Sequence, residues 1–204
     1  MDQFETRLLK ELAADLKANP GFYNIPILPI TSSQDELFYL AILNILSSQA
    51  DWNDAKRTAT LLSARHSWGS CSVRDVKNAM TEAKYASRNN NLKAEWIVQN
   101  QQRFMDRKNI SFRQSFDDLI EEVALKVTCP QERRKRLVKE IKGFGLKIAS
   151  HFLRGLGLDG DQLAVLDTHL IEALESWPAL ELENLNLDKG MSKKKYLAVE
   201  KRLH

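Results

Sequence analysis

Hydrophobic positions along most of this chain recur with the spacing of α-helices. Residues 2–19 carry an apolar residue every four positions, which predicts an amphipathic helix there. These residues are Phe4, Leu8, Leu12 and Leu16. Residues 37–50 are apolar on nearly all sides, which predicts a buried helix, and Ser33 and Glu36 have the spacing of a capping box at its start. No stretch of useful length shows the two-residue period of a β-strand.

The remaining pattern predicts a compact all-α array of short helices. Further helices are expected at about residues 53–64, 73–85, 92–105 and 115–126. Pro130 suits the first position of a helix that runs to a break at residues 142–145. We expect one unit over residues 1–204, built from two helical subdomains with a cleft between them. The subdomains would comprise about residues 30–125, and residues 126–204 together with the N-terminal helix.

Composition is that of a soluble globular protein. The chain has 204 residues, of which 43% are hydrophobic and 28% charged, enough for a sizeable core. Its two cysteines, Cys71 and Cys129, are too few for a four-cysteine metal site and far apart, which favours a reducing compartment. The N-terminus lacks the apolar core of a signal peptide, and the longest apolar run is too short to span a bilayer. We therefore expect a cytoplasmic, nucleoid-associated protein with no membrane partner.

Positive charge is concentrated in one part of the chain. The formal net charge is +3, but residues 131–157 contain eight Lys or Arg against two Glu, a local net charge of +6 that leaves −3 for the remainder. This asymmetry favours a polyanion bound on one face, although a solvated charged helix would give the same pattern.

Residues 142–145, the KGFG of the motif KGFGLK, form the break between two predicted helices. Gly143 and Gly145 allow a tight turn whose backbone amides, together with the start of the next helix, can bind a phosphate. Lys139 and Lys142, and the basic cluster 133–136, could supply neighbouring charge. A hairpin whose glycines only permit close packing remains the alternative.

Lys147 and Asp167 stand at the starts of two successive predicted helices. The first turn of a helix carries partial positive charge and favours anions, so a lysine there is either idle or placed to lose its proton. Asp167 ends an apolar run and suits a helix N-cap, which would be a sufficient role by itself. The two together, beside a phosphate-binding turn, predict a catalytic pair.

The segments KGFGLKIASHFLRGLG, AVLDTHL and GMSKKKYLAVEKRL resemble the helix-hairpin-helix superfamily of DNA glycosylases. Within it the chain is most similar to the second family of 8-oxoguanine DNA glycosylase/AP lyases, from archaea and some bacteria. Fainter similarity in DELFYLAILNILSSQADW and NLKAEWIVQNQ extends the resemblance over roughly residues 35–204. The resemblance implies a helix-hairpin-helix glycosylase fold and double-stranded DNA containing a damaged base as the partner of a monomer.

The resemblance also implies a bifunctional enzyme of base excision repair that flips an oxidised purine out of the duplex. Lys147 matches the amine that attacks the sugar and forms a Schiff base, after which β-elimination cleaves the strand. Asp167 matches the carboxylate that stabilises positive charge on the sugar.

Other residues receive roles from the same resemblance. Gln49 matches the residue that fills the gap left by the flipped base, or is simply a surface residue after a helix. His169, His151 and Arg154 match supporting positions rather than reacting ones. The four-cysteine loop of iron–sulfur relatives is absent, so no metal and no cofactor are expected. The tryptophans either line a base pocket or belong to the core; they are Trp52, Trp68, Trp96 and Trp177.

The chain departs from the family pattern at a few positions. Thr168 replaces a basic residue, Gly155 an asparagine and Ile148 a glutamate. The family continues into a further helix and tail beyond the position of His204, so the chain is truncated or closes its base pocket differently. Alternative functions are a non-catalytic helix-hairpin-helix DNA-binding module, a glycosylase for another damaged base, and a helical protein that binds no DNA.

Overall fold

The computed structural model describes residues 33–66, 70–105, 115–159, 162–166, 170–171, 174 and 191–203. In these residues the secondary structure is helical and includes no strand, which confirms the all-α prediction. The α-helices are α1 (Gln34–Ser47), α2 (Trp52–Arg65), α3 (Val73–Glu82), α4 (Asn90–Met105), α5 (Phe116–Glu121), α6 (Pro130–Glu140), α7 (Leu146–Gly155) and α8 (Lys193–Leu203). A π-helical turn, Glu122–Lys126, continues α5. The helix predicted at residues 2–19 lies outside the described part.

Short polar side chains determine where most of these helices begin. Ser33 accepts a hydrogen bond from the N–H of Glu36, whose carboxylate accepts the Ser33 N–H in return, so the predicted capping box is confirmed. The hydrogen bonds that the Ser33 N–H and the Ser33 hydroxyl donate to this carboxylate lower the pKa of Glu36. The predicted start of α6 at Pro130 is also confirmed. None of the described helices is both long and apolar enough to cross a membrane.

Helix α3 ends at Glu82, before the predicted end at Tyr85. Lys84 has a left-handed backbone (φ 55°), and the N–H of Tyr85 bonds to the carbonyl of Met80 at 2.8 Å. This is the hydrogen bond of a Schellman C-cap, which satisfies a carbonyl of the last turn. Tyr85 therefore lies outside the helix, and its hydroxyl donates to the carbonyl of Leu46 at the end of α1.

The main apolar core surrounds α1, which is buried along most of its length as predicted. Phe116 lies at its centre, with its ring 5.3 Å from that of Phe38, 5.2 Å from that of Phe104 and 6.3 Å from that of Phe152. Because Phe152 belongs to α7, this core fixes α7 against α1 and α5. Burying side chains of this size stabilises the fold by about 1.5–3 kcal/mol each.

A second, smaller apolar cluster lies under α8. Its buried members are Leu146, Leu166, Leu174, Tyr196 and Val199. Leu146 begins α7 and Tyr196 belongs to α8, so this cluster joins the start of α7 to the C-terminal helix.

Candidate nucleic-acid interface and active site

The predicted hairpin is formed by residues 141–145 between α6 and α7. Gly143 has φ +86°, a conformation that residues with a side chain rarely adopt. A Cβ atom on Gly143 would lie 2.7 Å from Cε3 of Trp96, so the indole packs directly on the turn. Gly143 is therefore required by the fold, and Trp96 has a packing role here.

A buried asparagine of α4 holds the same turn. The side-chain amide of Asn100 donates to the carbonyl of Lys142 at 2.9 Å, and its carbonyl accepts the Lys142 N–H at 2.8 Å. Asn100 is only 2% exposed. Both backbone groups of Lys142 are thus fixed from inside the protein, while the Lys142 side chain remains exposed.

Phe144 and Gly145 face opposite environments. The Phe144 ring is buried and lies 5.4 Å from the ring of Phe152, which anchors the turn in the main core. Gly145 is exposed, has an ordinary extended conformation as the N-cap of α7, and a Cβ added to it would meet no atom within 4 Å. The fold alone therefore does not require a glycine at position 145.

The start of α7 carries no side-chain cap and no acidic residue in its first turn. The described helices α1, α2, α3 and α5, in contrast, begin with a serine or aspartate that accepts an amide hydrogen. Uncapped N–H groups together with the helix dipole can bind an anion such as a phosphate. The start of α7 thus has amide groups without a side-chain cap, and Gly145 leaves open space for an anion beside them.

Lys147 lies in this first turn and is partly buried. The residue before it, Leu146, packs in the second apolar cluster together with Leu166. Leu166 directly precedes Asp167 in the sequence. Asp167 and His169 themselves lie outside the described residues, so their predicted roles stay predictions. The residues that directly precede Lys147 and Asp167, Leu146 and Leu166, therefore lie in the same apolar cluster.

Gln49 lies exposed directly after α1, with a left-handed backbone (φ 57°). Lys93 of α4, 2% exposed, holds the end of α1: its Nζ donates to the carbonyl of Leu46 at 3.1 Å and to the carbonyl of Ser48. It also donates to the hydroxyl of Tyr85 at 2.6 Å. The turn bearing Gln49 is thus fixed by a buried cation.

Burial changes the ionisation of this pair. It lowers the pKa of Lys93 to about 8 and raises the pKa of Tyr85 to about 12. In both cases burial penalises the charged form.

One face of α4 supports both predicted DNA-contacting turns. Lys93, Trp96 and Asn100 are spaced three and four residues apart, so they lie on the same side of the helix. No role was predicted for Lys93 or Asn100 from the sequence. Their spacing within NLKAEWIVQNQ was the available signal, since a lysine and an asparagine on a face otherwise directed into the core require buried partners.

Most of the cationic side chains at 133–136 form ion pairs with carboxylates of the protein itself. Arg133 pairs with Asp159 at 2.7 Å, Arg134 with Glu200 at 2.5 Å, and Arg136 with Glu140 at 2.7 Å. The suggestion that this whole cluster supplies charge to DNA is therefore wrong for the three arginines, because their guanidinium groups bind carboxylates of the fold.

The cations nearest the turn differ from these arginines. Lys139 and Lys142 are exposed and form no ion pair within the described part of the chain. They remain able to face a phosphate. His151 and Arg154 lie on α7, partly buried, and both make contacts with other groups.

A sequence model of the 8-oxoguanine DNA glycosylase family matches residues 28–204. A curated 8-oxoguanine DNA glycosylase/AP lyase from Thermotoga maritima is 41% identical over 71 residues, which cover 35% of this chain and 31% of the relative. One from Saccharolobus islandicus is 31% identical over 125 residues, covering 61% and 52%. The matches thus span about a third to a half of the length of these relatives.

Solved structures show the same fold. The crystal structure of the 8-oxoguanine DNA glycosylase of Thermotoga maritima superposes with a TM-score of 0.69 at 25% identity, covering 97% of this chain and 86% of that one. The enzyme of Methanocaldococcus jannaschii gives a TM-score of 0.66 at 21% identity, covering 98% and 85%. With its hairpin, its helical fold and a family match over most of its length, the chain belongs to the 8-oxoguanine DNA glycosylase family of helix-hairpin-helix proteins.

Proposed function

We propose that this chain, as a monomer on double-stranded DNA, is a bifunctional DNA glycosylase/AP lyase that excises an oxidised purine, 8-oxoguanine, in base excision repair. The observation that carries the proposal is that Leu146 and Leu166, which directly precede Lys147 and Asp167, pack in one apolar cluster at the uncapped start of α7. Family membership and the activity named for the curated relatives support the choice of 8-oxoguanine.

The hairpin would hold the DNA backbone beside the damaged nucleotide. The amides at the start of α7 have no side-chain cap and the exposed Gly145 leaves open space beside them, so a phosphate would accept hydrogen bonds from them. Exposed Lys139 and Lys142 would add sequence-independent charge. Gln49, on a turn held rigid by Lys93, would fill the gap in the base stack. We place the nucleotide-binding cleft between the two proposed subdomains.

Lys147 would perform the covalent step. Its amine lone pair attacks C1′ of the flipped nucleotide as the bond to the base breaks, and the bonding electrons leave with the base, which takes up a proton. The C1′–O4′ bond of the sugar then breaks, O4′ takes up a proton, and C1′ and the Lys147 nitrogen form a Schiff base. Loss of a proton from C2′ then expels the 3′ phosphate by β-elimination, and water releases Lys147. The carboxylate of Asp167 would stabilise the positive charge that develops on the sugar.

Borohydride trapping tests the role of Lys147. Borohydride reduces the Schiff base to a stable amine, so wild-type protein should form a covalent adduct with a duplex containing 8-oxoguanine or an abasic site. Lys147→Gln should abolish the adduct. Lys142→Gln, the same change in the adjacent turn, is the matched control and should weaken binding but retain trapping. Full trapping by Lys147→Gln would overturn the assignment.

A second measurement separates this enzyme from a non-catalytic DNA-binding module. Release of 8-oxoguanine under single-turnover conditions should be slowed in Asp167→Asn, with less effect on DNA affinity. An unchanged rate would show that Asp167 is only a helix cap. Salt-sensitive binding by the wild-type protein without base release or trapping would identify a binding module instead.

A further inference from the structure

Side chains of helix α8 form hydrogen bonds with the backbone of the segment that leads to Asp167. The hydroxyl of Tyr196 donates to the carbonyl of Ala164 at 2.6 Å and accepts the N–H of Leu166 at 3.2 Å. One helical turn later, the carboxylate of Glu200 accepts the N–H of Ala164 at 3.0 Å. Two side chains of α8 therefore satisfy three backbone groups of residues 164–166, much as a neighbouring strand would.

The same network reaches the start of α7. Glu200 accepts two hydrogen bonds of 2.5 Å from the guanidinium group of Arg134 on α6. Arg134 also donates to the hydroxyl of Ser150 at 3.3 Å, and that hydroxyl donates to the carbonyl of Leu146 at 2.9 Å. A continuous chain of hydrogen bonds thus joins Ala164 to Leu146, which directly precedes Lys147.

These groups are almost completely removed from water. Arg134 is 1% exposed, and Tyr196 and Glu200 are each 4% exposed. A buried ion pair contributes little net stability compared with apolar residues of similar size, so stability alone does not account for this network. Burial raises the pKa of Tyr196, so its hydroxyl keeps the proton that it donates to Ala164. What the network provides is a fixed geometry between residues 164–166 and α7.

We propose that Tyr196 is a positioning residue for catalysis, which holds the segment ending at Leu166 against α7 so that Asp167 acts together with Lys147. This inference rests on the proposed function. Tyr196 does not touch the substrate; it acts through the backbone of Ala164 and Leu166. Misplacement of a reacting group by about 1 Å can slow a reaction on the order of 100-fold, so loss of these two bonds should be measurable in the rate.

Tyr196→Phe in the full chain is the test, because it removes the hydroxyl and keeps the ring. Tyr39→Phe is the matched control, since the Tyr39 hydroxyl lies 3.5 Å from Thr60 Oγ1 on the exposed side of α2. The base-release rate is measured in single-turnover reactions on an 8-oxoguanine duplex. Each rate is normalised to the end-point amount of protein that borohydride traps on an abasic duplex, which removes any effect of a smaller folded fraction.

Tyr196→Phe should slow base release by roughly 10- to 100-fold with little change in DNA affinity, and Tyr39→Phe should not. The double variant Tyr196→Phe/Asp167→Asn should be no slower than Asp167→Asn alone, because both changes disable the same carboxylate. A normal rate for Tyr196→Phe, or multiplicative effects in the double variant, would overturn the inference while leaving the glycosylase proposal intact. Absence of base release by the wild-type protein would instead overturn the proposed function itself.

Discussion

Asn100 forms two hydrogen bonds with the backbone of one residue, Lys142, in the turn of the hairpin. The two residues are 42 positions apart in the sequence, and the pair fixes the hairpin to α4. Because Trp96 packs on Gly143 from the same helix, the shape of the turn depends on α4 as much as on its own glycines. Contacts within the protein therefore fix the shape of the turn, which would lower the ordering cost of the proposed DNA binding.

Asn100→Leu should weaken DNA binding and lower stability. The variant leaves the N–H and carbonyl of Lys142 without their protein partners, which costs about 1–3 kcal/mol of unfolding free energy. A loosened turn should raise the Kd for duplex DNA by roughly tenfold, which corresponds to ~1.4 kcal/mol. Denaturant unfolding and fluorescence anisotropy are the measurements.

Asn44→Leu is the control for this prediction. Asn44 is also 2% exposed, but among the described residues its side chain donates only within α1, to the carbonyl of Leu40 at 2.9 Å. Asn44→Leu should leave the DNA affinity within about twofold of wild type, on the order of 0.4 kcal/mol. Equal losses of affinity in the two variants would contradict a specific role of Asn100 in the hairpin.

The two glycines of the hairpin should respond differently to substitution. Gly143→Ala should destabilise the protein by more than about 1 kcal/mol, because the residue has a positive φ and its Cβ would collide with Trp96. Gly145→Ser should leave stability unchanged or slightly higher, since position 145 has open space and serine is a favourable N-cap.

The same Gly145→Ser variant should nevertheless bind DNA more weakly. Its hydroxyl would accept the amide hydrogens of α7 that a phosphate would otherwise use, and its Cβ would obstruct the approach. Thermal unfolding and DNA titration of the two variants provide the comparison. Retention of full affinity in a stable Gly145→Ser protein would exclude phosphate binding at this end of α7.

Exposed lysines at the hairpin should contribute to the salt dependence of binding. The slope of log Kobs against log salt concentration is negative, and each phosphate contact that is removed reduces its magnitude by about 0.9. Lys142→Gln should show this change, because we expect the Lys142 side chain to face a phosphate. Lys77→Gln, which alters an exposed lysine of α3, should not. DNA titrations at several salt concentrations measure both slopes. The same slope in wild type and Lys142→Gln would exclude that contact.

Lys93 should give the protein a recognisable pH dependence of stability. Its pKa is lowered by burial to about 8, below the ordinary value of 10.5 that applies in the unfolded chain. Between these pH values the unfolded state binds the extra proton, so the contribution of Lys93 to the unfolding free energy rises with pH by up to ~1.4 kcal/mol per unit. Below pH 8 both states are protonated and this contribution is constant.

Comparison with Lys93→Met isolates this effect. The difference in unfolding free energy, wild type minus variant, should be flat from pH 6 to about pH 8 and then increase towards pH 10. Denaturant unfolding at each pH provides the values. A difference that falls or stays constant above pH 8 would show that the buried amine does not release its proton in the folded state.

The positions of most helices could be predicted from sequence because they depend on neighbouring residues. The capping box at Ser33, the proline at the start of α6 and the glycine turn at Gly143 all act over a few positions. The early end of α3 could not be predicted from the apolar pattern. Lys84 adopts a left-handed conformation there, while the Tyr85 side chain bonds to Leu46, 39 residues earlier.

The basic segment shows what the sequence leaves undecided. A run of cations has the same pattern whether its members face DNA or carboxylates of the protein. Packing decides between these alternatives: Arg134 is buried by Glu200, 66 residues away, whereas Lys142 two residues beyond Glu140 stays exposed. Such pairings depend on which helices lie side by side.

By itself, the sequence determined the helical class, the hairpin and the candidate nucleophile Lys147, because these follow from local spacing and from a motif of contiguous residues. Only the tertiary structure revealed that Asn100 holds the hairpin, that Lys93 holds the turn of Gln49, and that Tyr196 binds the segment before Asp167. The physical reason is that each of these side chains is polar and buried. Its partner is therefore set by the packing of distant helices, and no local pattern specifies it.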